Sequence, residues 1–170
     1  MTGPISPDHD SGPDSGPGIG SGPDAGPDSG PGPGPGPGPG TRLPAVSIPV
    51  TPTFIVSTAL ATRDFQDVHH DRDRAVAGGA KDIFLNILST TGLVQRYVTD
   101  WAGPNAVVRA VAVRLGVPCC AYETLTLTGE VTAHDGEHVT VSVVGRVSSG
   151  DHVAGTVTLR VSELTGVTGP

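Results

Sequence analysis

The chain has 170 residues, room for one domain and a tail, with 16% charged side chains and a formal net charge of -7 at pH 7. Outside residues 1–40 it carries ten basic and twelve acidic side chains, and this near balance argues against a nucleic-acid partner, because phosphate binding needs a clustered basic excess. No basic segment leads into an apolar one at the start, and no run approaches the roughly eighteen apolar residues of a membrane span, so a soluble, cytoplasmic protein is expected.

Residues 1–40 hold 13 of the 25 glycines, 11 of the 17 prolines, five aspartates and no lysine or arginine. Such a segment buries too little apolar surface to offset its ordering entropy, and its Gly-Pro alternation has the wrong period for a collagen helix. Residues 1–43 are therefore expected to be a disordered tail, and residues 44–165 a folded domain.

After Pro52, the apolar and β-branched TFIVSTALAT reads as a strand. The charged RDFQDVHHDRD, residues 63–73, follows as a loop. Beyond Gly78 and Gly79, the spacing of Ile83, Phe84, Ile87, Leu88, Leu93, Val94, Tyr97 and Val98 predicts one helix from about Lys81 to Val98, with Asp82 in its first turn. Apolar residues cover so much of its circumference that it is expected to be buried, with Gly92 admitting a close backbone approach.

Four stretches then alternate with a two-residue period: AVVRAVAVRLGV, ETLTLTGEVTAH, HVTVSVVGRV and HVAGTVTLRVSEL. Asp135-Gly136 offers a hairpin turn between the second and third, and Ser148–Asp151 another between the third and fourth. A long apolar helix followed by a four-strand meander predicts an α+β hotdog fold, an antiparallel sheet wrapped around one central helix. The adjacent Cys119 and Cys120 are ill placed for a disulfide or a zinc site and read as two small buried hydrophobes. His134, His138 and His152 fall at predicted turns and are expected at the surface. Arg96, Arg109 and Arg114 read as exposed side chains, with contact to a ligand phosphate as the rarer alternative.

The charged stretch places four aspartates, two histidines and two arginines in eleven positions. Adjacent histidines on an extended loop diverge, and no second ligand cluster is visible, so no metal is expected there. Within it, DFQDVHHD resembles the D-x-N-P-[LI]-H-x-D signature of MaoC-like acyl dehydratases and R-specific enoyl-CoA hydratases. Asp64, His69 and Asp71 match the signature's Asp, His and Asp, whereas Gln66 and Asp67 replace its Asn and Pro. The resemblance runs over about residues 53–163. It is strongest in FIVSTALATRDFQDVHHDRD, DIFLNIL and TGLVQRYVTDWAGP, which are similar to the small single-hotdog subunits of actinobacterial heteromeric steroid enoyl-CoA hydratases of cholesterol side-chain degradation.

That resemblance implies hydration of a 2-enoyl-CoA thioester with Asp64 and His69 as the acid-base pair, either of them being the formal acid or base. It implies no cofactor, since CoA belongs to the substrate. An oxyanion hole is expected from backbone N–H groups at the start of the central helix, with Ala80, Lys81, Asp82, Ile83 and Phe84 as candidates and Gly78 and Gly79 letting the thioester approach. His70, Asp67 and Asp73 read as solvated or structural, and Asp71 as a brace for the loop. One hotdog leaves an exposed sheet edge, which calls for a partner. The resemblance implies a larger MaoC-like subunit without the Asp–His pair, carrying an OB-fold domain that docks a thiolase-like aldolase. A hotdog acyl-CoA thioesterase and a non-catalytic scaffolding subunit remain alternatives.

Overall fold

A computed structural model describes residues 37–161. Of the tail expected over residues 1–43, residues 1–36 lie outside the described residues, as does the end of the expected domain after residue 161. The expected boundary at residue 43 moves forward slightly, because β1 (Arg42–Pro49) already begins at Arg42.

The other elements are α1 (Pro52–Ala61), a 3₁₀ turn (Asp67–His69), α2 (Arg72–Ala77), α3 (Ile87–Ala102), β2 (Ala106–Leu115), β3 (Thr124–His134), β4 (His138–Val147) and β5 (Gly150–Val161). The five strands form one antiparallel sheet in the order β1-β3-β4-β5-β2. The four predicted strands are β2 to β5, but only β3, β4 and β5 follow one another as a meander; β2 pairs with β5 at the sheet edge instead of with β3. Alternation is clearest in β4, where Val139, Val141, Val143, Gly145 and Val147 turn inward. Together with Leu125, Leu127, Val131, Val157 and Leu159 they make a core against which α3 lays Val94, Tyr97 and Val98. The sheet curved over α3 is the hotdog arrangement.

Both expected hairpins are present. Asp135 and Gly136, the latter at φ +94°, join β3 to β4, and Asp135 Oδ1 accepts from the amides of Glu137 and His138. Ser148 and Ser149 join β4 to β5.

Three expectations about the first half fail. TFIVSTALAT is helix, not strand: Thr51 caps α1 by accepting the Phe54 amide at 3.1 Å, and Pro52 stands at its first position, where its missing N–H costs nothing. Ser57, Thr58 and Thr62 return their hydroxyls to carbonyls three or four residues back, which reconciles β-branched and hydroxyl residues with a helix. The central helix begins at Ile87 rather than Lys81. Residues before it are extended because Phe84 bridges Cys120, with the Leu85 amide donating to Cys119 O at 3.0 Å and the Ala121 amide to Ile83 O at 2.9 Å. Finally, α3 buries only one face in this chain: Ile87 and Leu88 are 51% and 55% exposed, and no atom approaches the position of a Gly92 side chain.

Candidate active site

The end of α1 aims the first carboxylate. Arg63 adopts the left-handed region at φ +57°, uncommon for a residue with a Cβ, and this lets the Asp64 amide turn back to Ala59 O at 2.9 Å. Asp64 is thereby held at the mouth of the loop with its side chain 23% exposed. His70 donates from Nε2 to the Asp64 carbonyl at 2.7 Å and so staples the loop; its role is structural.

The 3₁₀ turn then delivers His69, which is 4% exposed. Its Nδ1 lies 2.7 Å from the carbonyl oxygen of Phe84, and a carbonyl only accepts, so Nδ1 carries the proton. In the neutral ring the lone pair is left on Nε2, which faces Asp64 Oδ2 at 3.4 Å. The Phe84 ring meets the imidazole edge to face, with centroids 5.1 Å apart, and fixes its plane. Asp71 caps α2, accepting the amides of Asp73 and Arg74, and thus braces the loop from its far side. Asp67 and Asp73 are exposed.

Burial alone raises the Asp64 pKa, but the Asn86 side-chain amide, the Gln66 backbone amide and the nearby imidazoles of His69 and His70 outweigh it and hold the carboxyl below its ordinary 3.8. Asp64 is therefore an anion at neutral pH. Two acceptors, Asp64 Oδ2 and His69 Nε2, converge on one small region, an arrangement suited to a molecule with two O–H donors.

Asn86 was not among the residues singled out from the sequence. It is 4% exposed and caps α3, accepting the Ser89 amide on Oδ1 at 2.7 Å and donating from Nδ2 to Asp64 Oδ2 at 3.0 Å. The signal for it was an Asn directly before Ile-Leu-Ser, an N-cap pattern obscured by the apolar Ile83 and Phe84 upstream.

The oxyanion argument moves with the helix start. Gly78 caps the end of α2, and the amides of Gly78, Gly79 and Ala80 donate to Arg74, Val76 and Ala75 carbonyls. The Ile83 amide donates to Asp82 Oδ1. Lys81 and Asp82 form a bend, and Ile83 and Phe84 run on as extended chain before α3, so the window 78–84 is not a helix N-terminus. At the true one, the Ser89 and Thr90 amides are taken up by Asn86, whereas those of Asn86, Ile87 and Leu88 have no acceptor among the described residues. These three are the available donors for developing negative charge.

Other expectations resolve simply. Cys119 and Cys120 are buried, and burial pushes the Cys119 thiol up to about 12. Arg96 pairs with Asp100 on α3 at 3.2 Å, and Arg109 and Arg114 are exposed on β2. Tyr97 is buried and donates its hydroxyl to Pro44 O at 3.0 Å, while Trp101 packs partly buried on the core. His152 is not at the surface: β5 starts two residues earlier than predicted, and a register shift against Gly145 and Arg146 of β4 leaves His152 out of the pairing and buried beside Val153, 1% exposed, where Nδ1 donates to Val117 O and Nε2 accepts from Thr90 Oγ1.

Residues 37–162 match the family described as "MaoC like domain". The chain is 64% identical over 121 residues to the 3-oxo-4,17-pregnadiene-20-carboxyl-CoA hydratase beta subunit of Mycobacterium tuberculosis, spanning 71% of this chain and 94% of that protein. It superposes with a TM-score of 0.71 and 63% identity on a chain of the ChsH1-ChsH2 complex from Mycobacterium tuberculosis, covering 72% of this chain and 97% of that one. The (R)-hydratase from A. caviae, at 16% identity and a TM-score of 0.64 over 72% of this chain and 96% of that one, shares the fold. The match over nearly the whole described domain, with the Asp64–His69 loop set against the helix N-terminus, means that the chain belongs to the MaoC-like family.

Proposed function

We propose that this chain is the catalytic subunit of an enoyl-CoA hydratase that adds water across the 2,3 double bond of a steroid 2-enoyl-CoA; its 64% identical relative is named a 3-oxo-4,17-pregnadiene-20-carboxyl-CoA hydratase beta subunit. The observation that carries the reading is the convergence of Asp64 Oδ2 and His69 Nε2, 3.4 Å apart, beside the N-terminus of α3. A substrate water donates one hydrogen to each. His69 Nε2 takes a proton, the water oxygen bonds to the β-carbon, and the π electrons move through the α-carbon onto the thioester oxygen as an enolate. The amides at Asn86, Ile87 and Leu88 stabilise that charge, and the proton held by the His69–Asp64 pair is returned to the α-carbon. Every atom added comes from the water, so the chemistry needs no resident cofactor; CoA enters and leaves as part of the substrate. Positioned acid-base groups of this kind contribute about 10²- to 10⁴-fold, and one oxyanion donor about 10²- to 10³-fold.

The solved relative is a two-component complex, and a heteromeric partner fits what this chain leaves uncovered. Phe65, next to Asp64, is 65% exposed, and Ile87 and Leu88 at the start of α3 are more than half exposed. Apolar side chains beside a catalytic pair are suited to cover by a second MaoC-like subunit, which would enclose the acyl group and exclude water. An OB-fold domain on that subunit and a thiolase-like aldolase bound to it are the outer parts of the assembly in this reading. No helix among the described residues is long and apolar enough to cross a membrane.

The deciding experiment assays the chain, co-purified with its partner, against a steroid 2-enoyl-CoA. Loss of enoyl absorbance without thiol release supports hydration, and thiol release would establish a thioesterase instead. Activity that persists when Asp64 and His69 are both alanine would make this chain the scaffold of a partner's active site.

A further inference from the structure

Asn86 uses every polar atom of its side chain. Its Nδ2 donates to Asp64 Oδ2 at 3.0 Å and to Thr62 Oγ1 at 2.9 Å, and its Oδ1 accepts the Ser89 amide at 2.7 Å. Thr62 in turn donates its hydroxyl to Thr58 O at 2.8 Å in the last turn of α1. The orientation of the amide is therefore unique. Flipped, it would set its oxygen against the Asp64 carboxylate and its NH₂ against the Ser89 N–H, two repulsive contacts at a 4% exposed position. One side chain thus ties the end of α1, the carboxylate and the first turn of α3 into a single frame.

From this geometry we infer that Asn86 is a positioning residue for hydration, which locks the Asp64 carboxylate in register with the unpaired amides at the α3 N-terminus. The inference rests on the hydratase reading. Water activation and enolate stabilisation are separate jobs done by groups 22 positions apart in sequence, and both must act on one thioester. An error of about 1 Å between them is costly. A helix cap alone does not require Asn: Asp and Ser cap about as well. Donation to the Asp64 carboxylate while the helix is capped requires a second polar atom that carries a hydrogen, which neither side chain has. Asp would set a second carboxylate against Asp64, and Ser is too short to span from the helix to the loop.

The two roles can thus be separated. Asn86→Ser and Asn86→Asp are prepared in the full chain assembled with its partner. Positioning predicts that Asn86→Ser keeps its melting temperature while kcat falls at least tenfold with KM little changed, and that Asn86→Asp loses more. Carbon-13 NMR of the labelled chain reads the Asp64 carboxyl directly; it faces Asn86, the Gln66 amide, His69 and His70. Its titration midpoint moves up in Asn86→Ser if the hydrogen bond is what the structure shows. The inference is overturned if Asn86→Ser retains wild-type kcat, if the Asp64 midpoint stays put, or if activity falls only as far as melting temperature does. Should Asn86→Asp fail to fold, Asn86→Ser decides alone. The Asp64→Ala and His69→Ala variants run alongside: active, they refute the hydratase assignment; inactive beside a normal Asn86→Ser, they refute only the role of Asn86.

Discussion

His69 and Phe84 are joined by a 2.7 Å hydrogen bond from imidazole Nδ1 to a main-chain carbonyl, across 15 positions of sequence. That bond settles which ring nitrogen is free, and it aims the free one at Asp64. A loop histidine presents one acceptor nitrogen in a defined direction because the strand-like segment before α3 takes up the hydrogen on the other.

Replacing either member of the pair should stop hydration without unfolding the chain. Asp64→Ala and His69→Ala are expected to lower kcat by about 10³-fold or more while the subunits still co-purify, measured as loss of enoyl absorbance. Asp64→Asn is the stricter variant, because it keeps the shape but sets an NH₂ or a neutral oxygen where the water's hydrogen is received.

The oxyanion donors can be probed through the backbone. Ile87 is the first residue of α3, where proline is accepted, and Asn86 already has φ -81° and ψ 166°, the extended conformation that precedes proline. Ile87→Pro should therefore keep the helix, seen by circular dichroism and melting, while removing one unpaired N–H. A fall in kcat of about 10²-fold is expected; unchanged kcat would leave the enolate to the Asn86 and Leu88 amides.

His152 makes stability depend on pH. Its burial lowers its pKa below the ordinary 6.5, with the Val117 carbonyl and the Glu123 charge opposing. The unfolded chain thus binds a proton that the folded chain resists. Stability is whole above pH 6.5 and declines as pH falls below it, toward the lower folded-state value. Melting temperatures between pH 8 and pH 5 should show this decline, and His152→Gln should flatten it while lowering the melting temperature throughout by removing well-fitted packing beside Thr90.

Gly145, in the middle of β4, has no room for a methyl group. A Cβ there would lie 2.7 Å from Val153 Cγ1 and 2.8 Å from Leu127 Cδ2, both on neighbouring strands. Gly145→Ala should cost about 1–3 kcal/mol of unfolding free energy in a denaturant titration, with hydration at saturating substrate preserved in the folded fraction.

Much of this molecule was legible in its residues. The alternation that runs through β4 and most of β3 and β5 could serve only a sheet with one buried face, since a two-residue period puts every second side chain on the same side. The Asp64–His69 spacing and its loop setting were visible too, because both lie in one short local segment. What failed was one local helix start that was passed over and several elements decided by distant partners. TFIVSTALAT has strand-like composition, yet Thr51 and Pro52 start a helix there, and Ile83 and Phe84 fit a helical period, yet pairing with Cys120 and Ala121 holds them extended. His152 looked like a turn residue until β5 took it inside. The tautomer of His69 and the hydrogen bond from Asn86 to Asp64 depend on partners 15 and 22 residues apart in the chain. A local pattern states which side chains share a face, but hydrogen bonds between remote segments exist only once the chain has closed on itself, and there the chemistry was decided.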